Sequence, residues 1–335
     1  MHADHLSGVM MKRVPRQICL ALVLAVYGAA AWAQASWPTR PVRLVVPFPA
    51  GGGVDIMSRY LAEMLGTALG QSFVVENRPG AATLIATEAV ANARPDGYTL
   101  LVATTSSLVS NRFQYKKLRY DPDGFELVSL ISYYPMVLLA NPSLPVRNLT
   151  ELIEYARKHP DALSFGSFGT GTYSHLAVEL LDLRSGVKMT HVPYKGAAEA
   201  LPALIGNQIQ IYADAISSSL SYVKAGTLKA LAVTSPTRTA TLPDVPTVAE
   251  QGFPGFDMSS WASIVAPRDT PKEITDRLQA ALSKILQSRE YKERLFVLGQ
   301  ELPPSKIGPG PFVDQIKSDI PKIRDVMKEA GVQPI

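Results

Sequence analysis

One stretch of the sequence combines glycines with hydroxyl residues between a strand-like run and a helix-like run: Gly166-Ser167-Phe168-Gly169-Thr170-Gly171-Thr172-Tyr173-Ser174-His175. Its four hydroxyl groups can donate hydrogen bonds to an anion, and the start of the following helix adds free N–H groups and a favourable field. One hydroxyl would be enough to cap that helix. Because four exceed what a cap needs, we predict that this loop binds an anion. His175 is its weakest member, since a lone histidine on a helix is more often a packing residue.

A second stretch with similar potential is Pro49-Ala50-Gly51-Gly52-Gly53-Val54-Asp55, which also lies between a strand-like and a helix-like run. Its glycines allow the backbone to approach a ligand closely, and the helix start offers unpaired N–H donors. An ordinary tight turn in which Asp55 caps the helix explains the pattern equally well. The segment is neither G-x-G-x-x-G nor a phosphate loop with its lysine, so it does not predict a nucleotide cofactor.

Motifs for catalysis and metal binding are missing from the sequence. There is no G-x-S-x-G elbow, and a serine next to His175 on one chain segment is poorly placed for a catalytic triad. The histidines beyond residue 35 are His159, His175 and His191, and they form no H-E-x-x-H motif. We therefore expect a binding protein without a metal or other cofactor, and not an enzyme.

Strand-like and helix-like runs alternate along the chain. Val42–Phe48 is apolar and β-branched, as expected of a strand buried on both faces of a parallel sheet. From Asp55 apolar residues recur at helical spacing. Further strands are predicted at Ser72–Glu76, Thr99–Ala103, Leu163–Gly166, Met189–Val192, Ile209–Ala213, Ala230–Thr234 and Trp261–Ala266. This alternation predicts an α/β protein with mostly parallel sheets.

Helix boundaries are marked by capping residues. Asn148 and Glu151 resemble a capping box that starts a helix to Lys158. Thr270 as N-cap, Pro271 as first helical residue and Glu273 predict a helix to about Gln287. The other predicted helices are Ala82–Ala93, Tyr291–Leu298 and Pro311–Ala330.

The first 35 residues have the pattern of a secretory signal peptide. Three basic residues precede an apolar run from Ile18 to Ala31, and small residues follow it. A membrane anchor is the alternative, but the run has 14 residues where spanning needs roughly 20. We therefore expect cleavage after Ala33 or Ala35 and export to the periplasm.

The chain without this segment is nearly neutral and has no cysteine. The single Cys19 lies inside the apolar run, so disulfides, thiol nucleophiles and cysteine metal sites are excluded from the exported part. Of the 33 basic and 29 acidic residues, three and one lie in residues 1–35, which leaves a net charge of +2. Such a balanced charge argues against nucleic acid as a partner.

Eight short motifs occur in an order that resembles a known family, and they cover nearly all of the exported chain. They are Trp37-Pro38-Thr39-Arg40-Pro41, the Pro47–Asp55 loop, Glu76-Asn77-Arg78-Pro79-Gly80-Ala81, Pro95-Asp96-Gly97-Tyr98-Thr99-Leu100, Tyr120-Asp121-Pro122, the 166–175 loop, Val192-Pro193-Tyr194-Lys195-Gly196 and Leu242-Pro243-Asp244-Val245-Pro246-Thr247. Together they resemble the solute-binding receptors of tripartite tricarboxylate transporters, also called Bug receptors.

The resemblance implies a two-domain periplasmic-binding-protein fold, in which crossing strands let the domains close around a carboxylate solute like a Venus flytrap. It implies domain 1 at residues 36–138 plus 262–335 and domain 2 at residues 139–261. The expected ligand-binding residues, from the local patterns and the resemblance together, are Ala50, Gly51, Gly52, Asp55, Thr104, Ser106, Ser107, Ser167, Thr170, Gly171, Thr172, Tyr173, His175, Tyr194, Asp214 and Ser217. Lys195 borders the predicted cleft or is a solvated surface charge.

The sequence departs from the family at one of these motifs. Family members often continue Asn-Arg-Pro-Gly-Ala with Gly-Gly-Asn-Ile-Gly, whereas this chain has Ala82-Thr83-Leu84-Ile85-Ala86. The loss of glycines and of a side-chain amide affects the identity of the ligand and the local backbone path, but not the predicted fold.

The function that follows is capture of a small carboxylate solute, such as an organic acid or amino acid, by a monomeric receptor. The solute would pass to the membrane permease of a tripartite tricarboxylate transporter. The alternative is a receptor whose closed form engages a sensor protein. A hydrolase is the less favoured third class.

Overall fold

Two five-stranded sheets covered by helices form the fold in the computed structural model, which describes residues 37–302 and 308–334. The predicted signal peptide, residues 1–35, lies outside the described residues. Trp37–Thr39, the described part of the N-terminal unit, contains a cis bond between Trp37 and Pro38. Both sheets belong to the other unit, which begins at Arg40. No helix within the described ranges is long and apolar enough to cross a membrane.

The first sheet has the strand order β2-β1-β3-β10-β4. Numbered along the chain, its strands are β1 (Val42–Val46), β2 (Phe73–Asn77), β3 (Thr99–Thr104), β4 (Phe125–Tyr134) and β10 (Ser260–Pro267). β1 pairs in parallel with β2 and β3, whereas β10 is antiparallel to both β3 and β4. Every residue of β3 and β10 is buried, as expected where helices cover both faces of a sheet.

The second sheet repeats this arrangement with the order β7-β6-β8-β5-β9. Its strands are β5 (Met136–Ala140), β6 (Ser164–Ser167), β7 (Thr190–Pro193), β8 (Ile211–Ala215) and β9 (Lys229–Val233). β6 is parallel to β7 and β8, and β5 is antiparallel to β8 and β9. Four strands of each sheet therefore point one way, and the prediction of mostly parallel sheets is confirmed.

The one reversed strand in each sheet is the strand that the chain enters after crossing from the other sheet. Pro135 alone separates β4 from β5, and the return crossing leads through Met258 into β10. Thr234, just beyond β9, joins the two crossings: its Oγ1 accepts from the Met136 N–H and donates to the Met258 carbonyl, each at 2.9 Å. The predicted domain boundaries, after residues 138 and 261, fall inside β5 and β10 and stay a prediction.

The described helices are α1 (Gly53–Leu69), α2 (Leu84–Ala91), α3 (Asn111–Gln114), α4 (Leu149–Lys158), α5 (Tyr173–Ser185), α6 (Ala197–Ile205), α7 (Ile216–Lys224), α8 (Lys272–Gln287), α9 (Arg289–Val297) and α10 (Pro309–Glu329). Short 3₁₀ turns lie at Ala81–Thr83 and Ala249–Gln251, and Ser106–Ser110 is a π-helical segment. The predicted cap of α4 is confirmed, because the Asn148 side chain accepts from the Glu151 N–H at 2.9 Å.

The predicted starts of α2 and α8 are wrong for reasons that the structure shows. The helix predicted from Ala82 begins at Leu84, because Ala81, Ala82 and Thr83 have φ values of 45°, 48° and 80°, outside the helical region. α8 begins at Lys272 without a side-chain cap. The Thr270 hydroxyl donates to the Pro267 carbonyl at 2.7 Å and so closes the preceding turn.

Candidate ligand-binding cleft

A cleft lies where loops from the two sheets face each other. The loop before α1 and the end of β3 form one wall, and the loop before α5 with the starts of α6 and α7 forms the other. The space measures about 570 Å³ when its open mouth is included. Its lining residues are Phe48, Pro49, Ala50, Gly52, Gly53, Val54, Thr104, Ser106, Tyr134, Met136, Phe168, Thr172, Tyr173, Gly196, Ala197, Ala198, Ala215, Ser218 and Ser260.

Four helix N-termini meet at this cleft. The residues just before α1, α5, α6 and α7 all line it, and none of these positions makes a side-chain capping hydrogen bond. They are Gly52, Thr172, Gly196 and Ala215. Each helix start therefore points backbone N–H groups and the positive end of its dipole toward the same space. Such an arrangement favours an anion.

Among the described residues, those that line the cleft include no charged side chain. Phe48 and Phe168 approach each other from opposite walls with ring centroids 6.0 Å apart, and Met136 adds further apolar surface. The polar side chains are hydroxyls from Thr104, Ser106, Thr172, Ser218 and other lining residues. An anion in this cleft would therefore be held by neutral donors and helix dipoles, with apolar walls for the rest of the molecule.

Two lining residues, Thr104 and Tyr173, have a buried hydroxyl without a hydrogen-bond partner among the described residues. Thr104 is buried, and its Oγ1 has no hydrogen-bond partner among the described residues. A buried polar atom without a partner costs about 1–3 kcal/mol. Thr172, by contrast, is bonded within its loop, because its Oγ1 donates to the Gly169 carbonyl at 2.7 Å.

Six of the predicted ligand-binding residues line the cleft: Ala50, Gly52, Thr104, Ser106, Thr172 and Tyr173. Thr170 and Tyr194 instead line an adjoining pocket on the far side of Phe48 and Phe168, together with Lys195. Gln114 also lines that pocket, and its Nε2 donates to the Thr170 carbonyl at 2.6 Å.

Asp55 and Gly51 form the internal support of the glycine loop. The Gly51 N–H donates to Asp55 Oδ2 at 2.9 Å, Asn77 donates to Oδ1 at 2.8 Å, and Arg59 forms a salt bridge at 3.0 Å. Burial raises the pKa of the Asp55 carboxyl, but the hydrogen bonds from Arg59, Asn77 and Gly51 outweigh it and hold that pKa below its usual value. The carboxylate thereby fixes the backbone that leads into α1.

Ser167 and His175 support the hydroxyl-rich loop in a similar way. Ser167 Oγ lies 2.6 Å from His191 Nε2 and accepts from the Gly169 N–H at 3.0 Å. The Gly171 N–H donates to His175 Nδ1 at 3.2 Å. The imidazoles of His175 and His191 lie in contact, with centroids 4.0 Å apart and ring planes tilted by 40°. Burial and the neighbouring His175 lower the pKa of His191 to about 3, so the His191 imidazole is neutral.

The remaining predicted residues lie behind the cleft walls. Ser107 donates to the Thr83 hydroxyl at 3.1 Å. Asp214 is fully buried and is linked to the cleft lining through Ser218, which donates to its Oδ2 at 2.8 Å. Ser217 packs against Gly53, where an added Cβ would lie 1.9 Å from Ser217 Oγ. As direct ligand contacts, all sixteen residues stay predictions.

Sequence reasoning missed several residues of the site. The crossing residues Tyr134, Met136 and Ser260 come together only when the sheets are assembled, so no local pattern marks them. Gly196 was within reach, because the Tyr194-Lys195-Gly196 motif directly precedes a helix. A larger residue would be crowded there, since an added Cβ would lie 3.1 Å from the Pro49 ring on the opposite wall.

Two α/β sheets that enclose a cleft between their loops define the fold of periplasmic solute-binding proteins. Residues 57–305 match the Tripartite tricarboxylate transporter family receptor, and the chain belongs to this family. The proteins that match the chain in this family are solute-binding proteins rather than enzymes.

Three solved structures are similar to this chain over most of its length. One is an R. palustris protein with adipate: it is 37% identical, has a TM-score of 0.86, and the match covers 90% of this chain and 100% of that one. The periplasmic binding protein BugD is also 37% identical, with a TM-score of 0.85 and coverages of 89% and 100%. MatC from Rhodopseudomonas palustris with bound malate is 34% identical, with a TM-score of 0.81 and coverages of 87% and 99%.

Proposed function

We propose that this chain is a periplasmic receptor that captures a small carboxylate-containing solute in the cleft. The observation that carries the proposal is the meeting of four uncapped helix N-termini in a cleft without charged side chains. One such terminus contributes about 0.3–1 kcal/mol, and up to ~2 kcal/mol when partly buried. Micromolar binding needs about 8 kcal/mol, so several termini and hydroxyls must act on the same anion.

The apolar walls narrow the class of solute. Phe48, Phe168 and Met136 offer surface to a hydrocarbon chain or ring, while a charged amine would find no carboxylate partner among the described lining residues. A small organic acid fits this combination better than a basic amino acid. The adipate and malate in the two R. palustris structures support a carboxylate headgroup.

We further propose that the solute is released to the membrane permease of a tripartite tricarboxylate transporter after a hinge motion about the two crossings. The division into residues 36–138 plus 262–335 and residues 139–261 is part of this proposal. A solute that touches both walls stabilises the closed form. A receptor that signals through a sensor protein would use the same motion, and co-purification with a permease or a sensor kinase separates the two.

Binding without turnover is also part of the proposal. Ser167 and His191 form a serine–histidine pair near the site, but Ser167 is fully buried and lies outside the cleft lining. Its hydroxyl therefore has no path to a bound solute.

The test is a thermal-shift screen of ligand-free protein against carboxylates and their neutral amides. Adipate and adipamide form a matched pair that differs in charge but hardly in size. A bound solute at a hundredfold excess over its dissociation constant contributes about 2.7 kcal/mol, which raises the Tm by several degrees. A shift with a carboxylate and none with its amide supports the proposal. Equal shifts with both, or no shift with any carboxylate, would contradict it.

A further inference from the structure

Asp214, near the end of β8, lies behind the wall of the cleft that contains the starts of α6 and α7. Among the residues described, it is the only ionisable side chain that is hydrogen-bonded to a lining residue from behind this wall. It is fully buried, and its Oδ2 accepts from the Ser218 hydroxyl at 2.8 Å. Its Oδ1 has no hydrogen-bond partner of ordinary geometry in the described chain. Ser218 itself lines the cleft. The carboxyl is therefore one hydrogen bond away from the solute space.

The Ser218 hydroxyl is placed between two acceptors when Asp214 is ionised. Its Oγ lies 2.8 Å from Asp214 Oδ2 and 2.9 Å from the Ala215 carbonyl. A hydroxyl has one proton, and both neighbours compete for it. Toward the cleft, Ser218 then offers only lone pairs, which repel a carboxylate.

Protonation of Asp214 reverses this polarity. The carboxyl O–H donates to Ser218 Oγ, and the Ser218 proton then has only the Ala215 carbonyl and a solute oxygen as acceptors. The protonated carboxyl also removes a buried negative charge that would oppose an incoming anion.

We propose that Asp214 makes carboxylate binding proton-linked: the solute binds together with one proton taken up by Asp214, which acts through Ser218 as a positioning residue. The inference rests on the proposed function, since it concerns the same cleft and the same class of solute.

The groups around Asp214 fit a proton exchange near neutral pH. Its neighbours are the hydroxyls of Ser218, Ser219 and Tyr212, and burial keeps the Tyr212 phenol neutral by raising its pKa. On β5 the paired residue is Val137, which is apolar, and across the interface α1 presents Gly53. The charged residues at the start of α1, Asp55 and Arg59, pair with each other. Burial raises the pKa of Asp214 to about 7, against the hydrogen bonds from its neighbours.

The sign of the linkage follows from these groups. A bound carboxylate adds negative charge near Asp214 and so raises its pKa above the value in the free protein. Solute carboxylates with the usual pKa near 4 are ionised throughout the range from pH 6.0 to 8.5. Affinity should be constant below pH 7 and fall by up to about tenfold per pH unit above it, until the pKa of the bound form is reached.

The experiment is calorimetric titration with the tightest binder among four probes: adipate, L-malate, L-glutamate and benzoate. Titration at pH 7.5 in phosphate and in Tris, which differ in ionisation enthalpy, gives the number of protons taken up. We expect a clear fraction of one proton for the parent. Asp214→Asn, which keeps a donor toward Ser218, should take up none and show the same affinity at pH 6.0 and 8.5.

Asp182→Asn is the matched control. Asp182 on α5 is also buried, burial also raises its pKa to about 7, and it is absent from the cleft lining. This variant should take up protons as the parent does. Ser218→Ala provides a second measurement if Asp214→Asn does not fold: loss of the donor should lower the affinity at pH 6.0 toward the value at pH 8.5.

The outcomes separate the two proposals. Binding of a probe without proton uptake, or with uptake that Asp214→Asn retains, would overturn the role of Asp214 and leave the receptor function intact. If none of the four probes binds, the carboxylate function itself is wrong and this inference falls with it.

Discussion

At the scale of single residues, the two walls of the cleft use hydroxyl groups differently. Thr104 keeps an unbonded Oγ1 at the cleft, whereas Ser167 and Thr172 use their hydroxyls to hold a loop. The Thr104 hydroxyl can therefore form a hydrogen bond with a solute. The hydroxyls of Ser167 and Thr172 instead fix the backbone of the loop that leads into a helix start.

The substitution Thr104→Val tests whether the Thr104 hydroxyl binds the solute. Valine keeps the shape of threonine but removes Oγ1, which makes no hydrogen bond in the free protein, so the Tm should stay equal or rise. A hydrogen bond to a charged solute contributes about 1.5–3 kcal/mol, so carboxylate affinity measured by calorimetry should fall about tenfold to a hundredfold.

Ser110→Ala is the matched control for this change. Ser110 is also buried with an unbonded hydroxyl, but it does not line the cleft. Its affinity for the same carboxylate should equal that of the parent. A similar loss in both variants would mean that Thr104 acts through the fold and not through contact with the solute.

Asp182 provides a prediction about stability and pH. Burial raises the pKa of its carboxyl to about 7 in the folded protein, against an ordinary value near 3.9 in the unfolded chain. The folded state thus binds more protons, so stability should decline as pH rises from about 4 to 7 and remain lower above that. Asp182→Asn removes this effect. Its Tm relative to the parent should rise by several degrees between pH 5 and pH 8 in thermal melts, and a constant difference would contradict the assignment.

At the scale of elements, the sequence predicted most strands and helices because their signals are local. The apolar run of β1 and the capping residues of α4 act within a few residues, and both elements lie where they were predicted. β4 was missed, since its ten residues include Ser129 and Ser132, which interrupt the apolar pattern and are buried only by tertiary packing. The start of α2 was wrong for a similar reason: its left-handed backbone is fixed by contacts such as the one from Asn111 to Ala82.

The candidate site was predictable to a lesser degree. The two loops were found because each combines glycines or hydroxyls with a helix start. The hydrogen bond between Ser167 and His191, 24 positions further along the chain, could not be predicted in this way. Such a pair depends on the parallel register of β6 and β7.

The attraction of the helix starts for an anion can be tested by two substitutions of opposite charge at one position of α6. Ala198 lies in the first turn of α6, is exposed and lines the cleft. Ala198→Asp should stabilise the helix by about 0.3–1 kcal/mol through its dipole, yet weaken carboxylate binding at low salt. Ala198→Lys has a side chain at the same place with opposite charge, and should bind at least as tightly as the parent. If both variants lose affinity equally, the effect is steric, and the field of the helix starts is not what attracts the anion.

At the scale of the whole molecule, the two sheets meet through close contacts that only small residues permit. Gly53 at the start of α1 faces Ser217 at the start of α7, with no room for a side chain. Gln114 adds a hydrogen bond from one side to the other, to the Thr170 carbonyl. In the proposed hinge motion, we expect these contacts to form only when the cleft is closed.

Gly53→Ala should therefore oppose closure. Its Cβ would lie 1.9 Å from Ser217 Oγ, so carboxylate affinity should fall on the order of tenfold, the usual size of a coupling between binding and a conformational change. Adding Ser217→Gly removes the clash, and the double variant should bind nearly as well as Ser217→Gly alone. If the double variant binds as weakly as Gly53→Ala, the methyl group obstructs the solute and not the closure.

The four helix starts at the cleft also bear on how such receptors diversify. The donors that would meet the headgroup are main-chain N–H groups, and substitution of a neighbouring side chain leaves them in place unless it introduces proline. The walls are ordinary side chains such as Phe48, Met136 and Phe168, which can be exchanged one at a time. A duplicated gene could thus acquire a receptor for a new acid through a few wall substitutions, while the part that recognises the acid group is inherited unchanged.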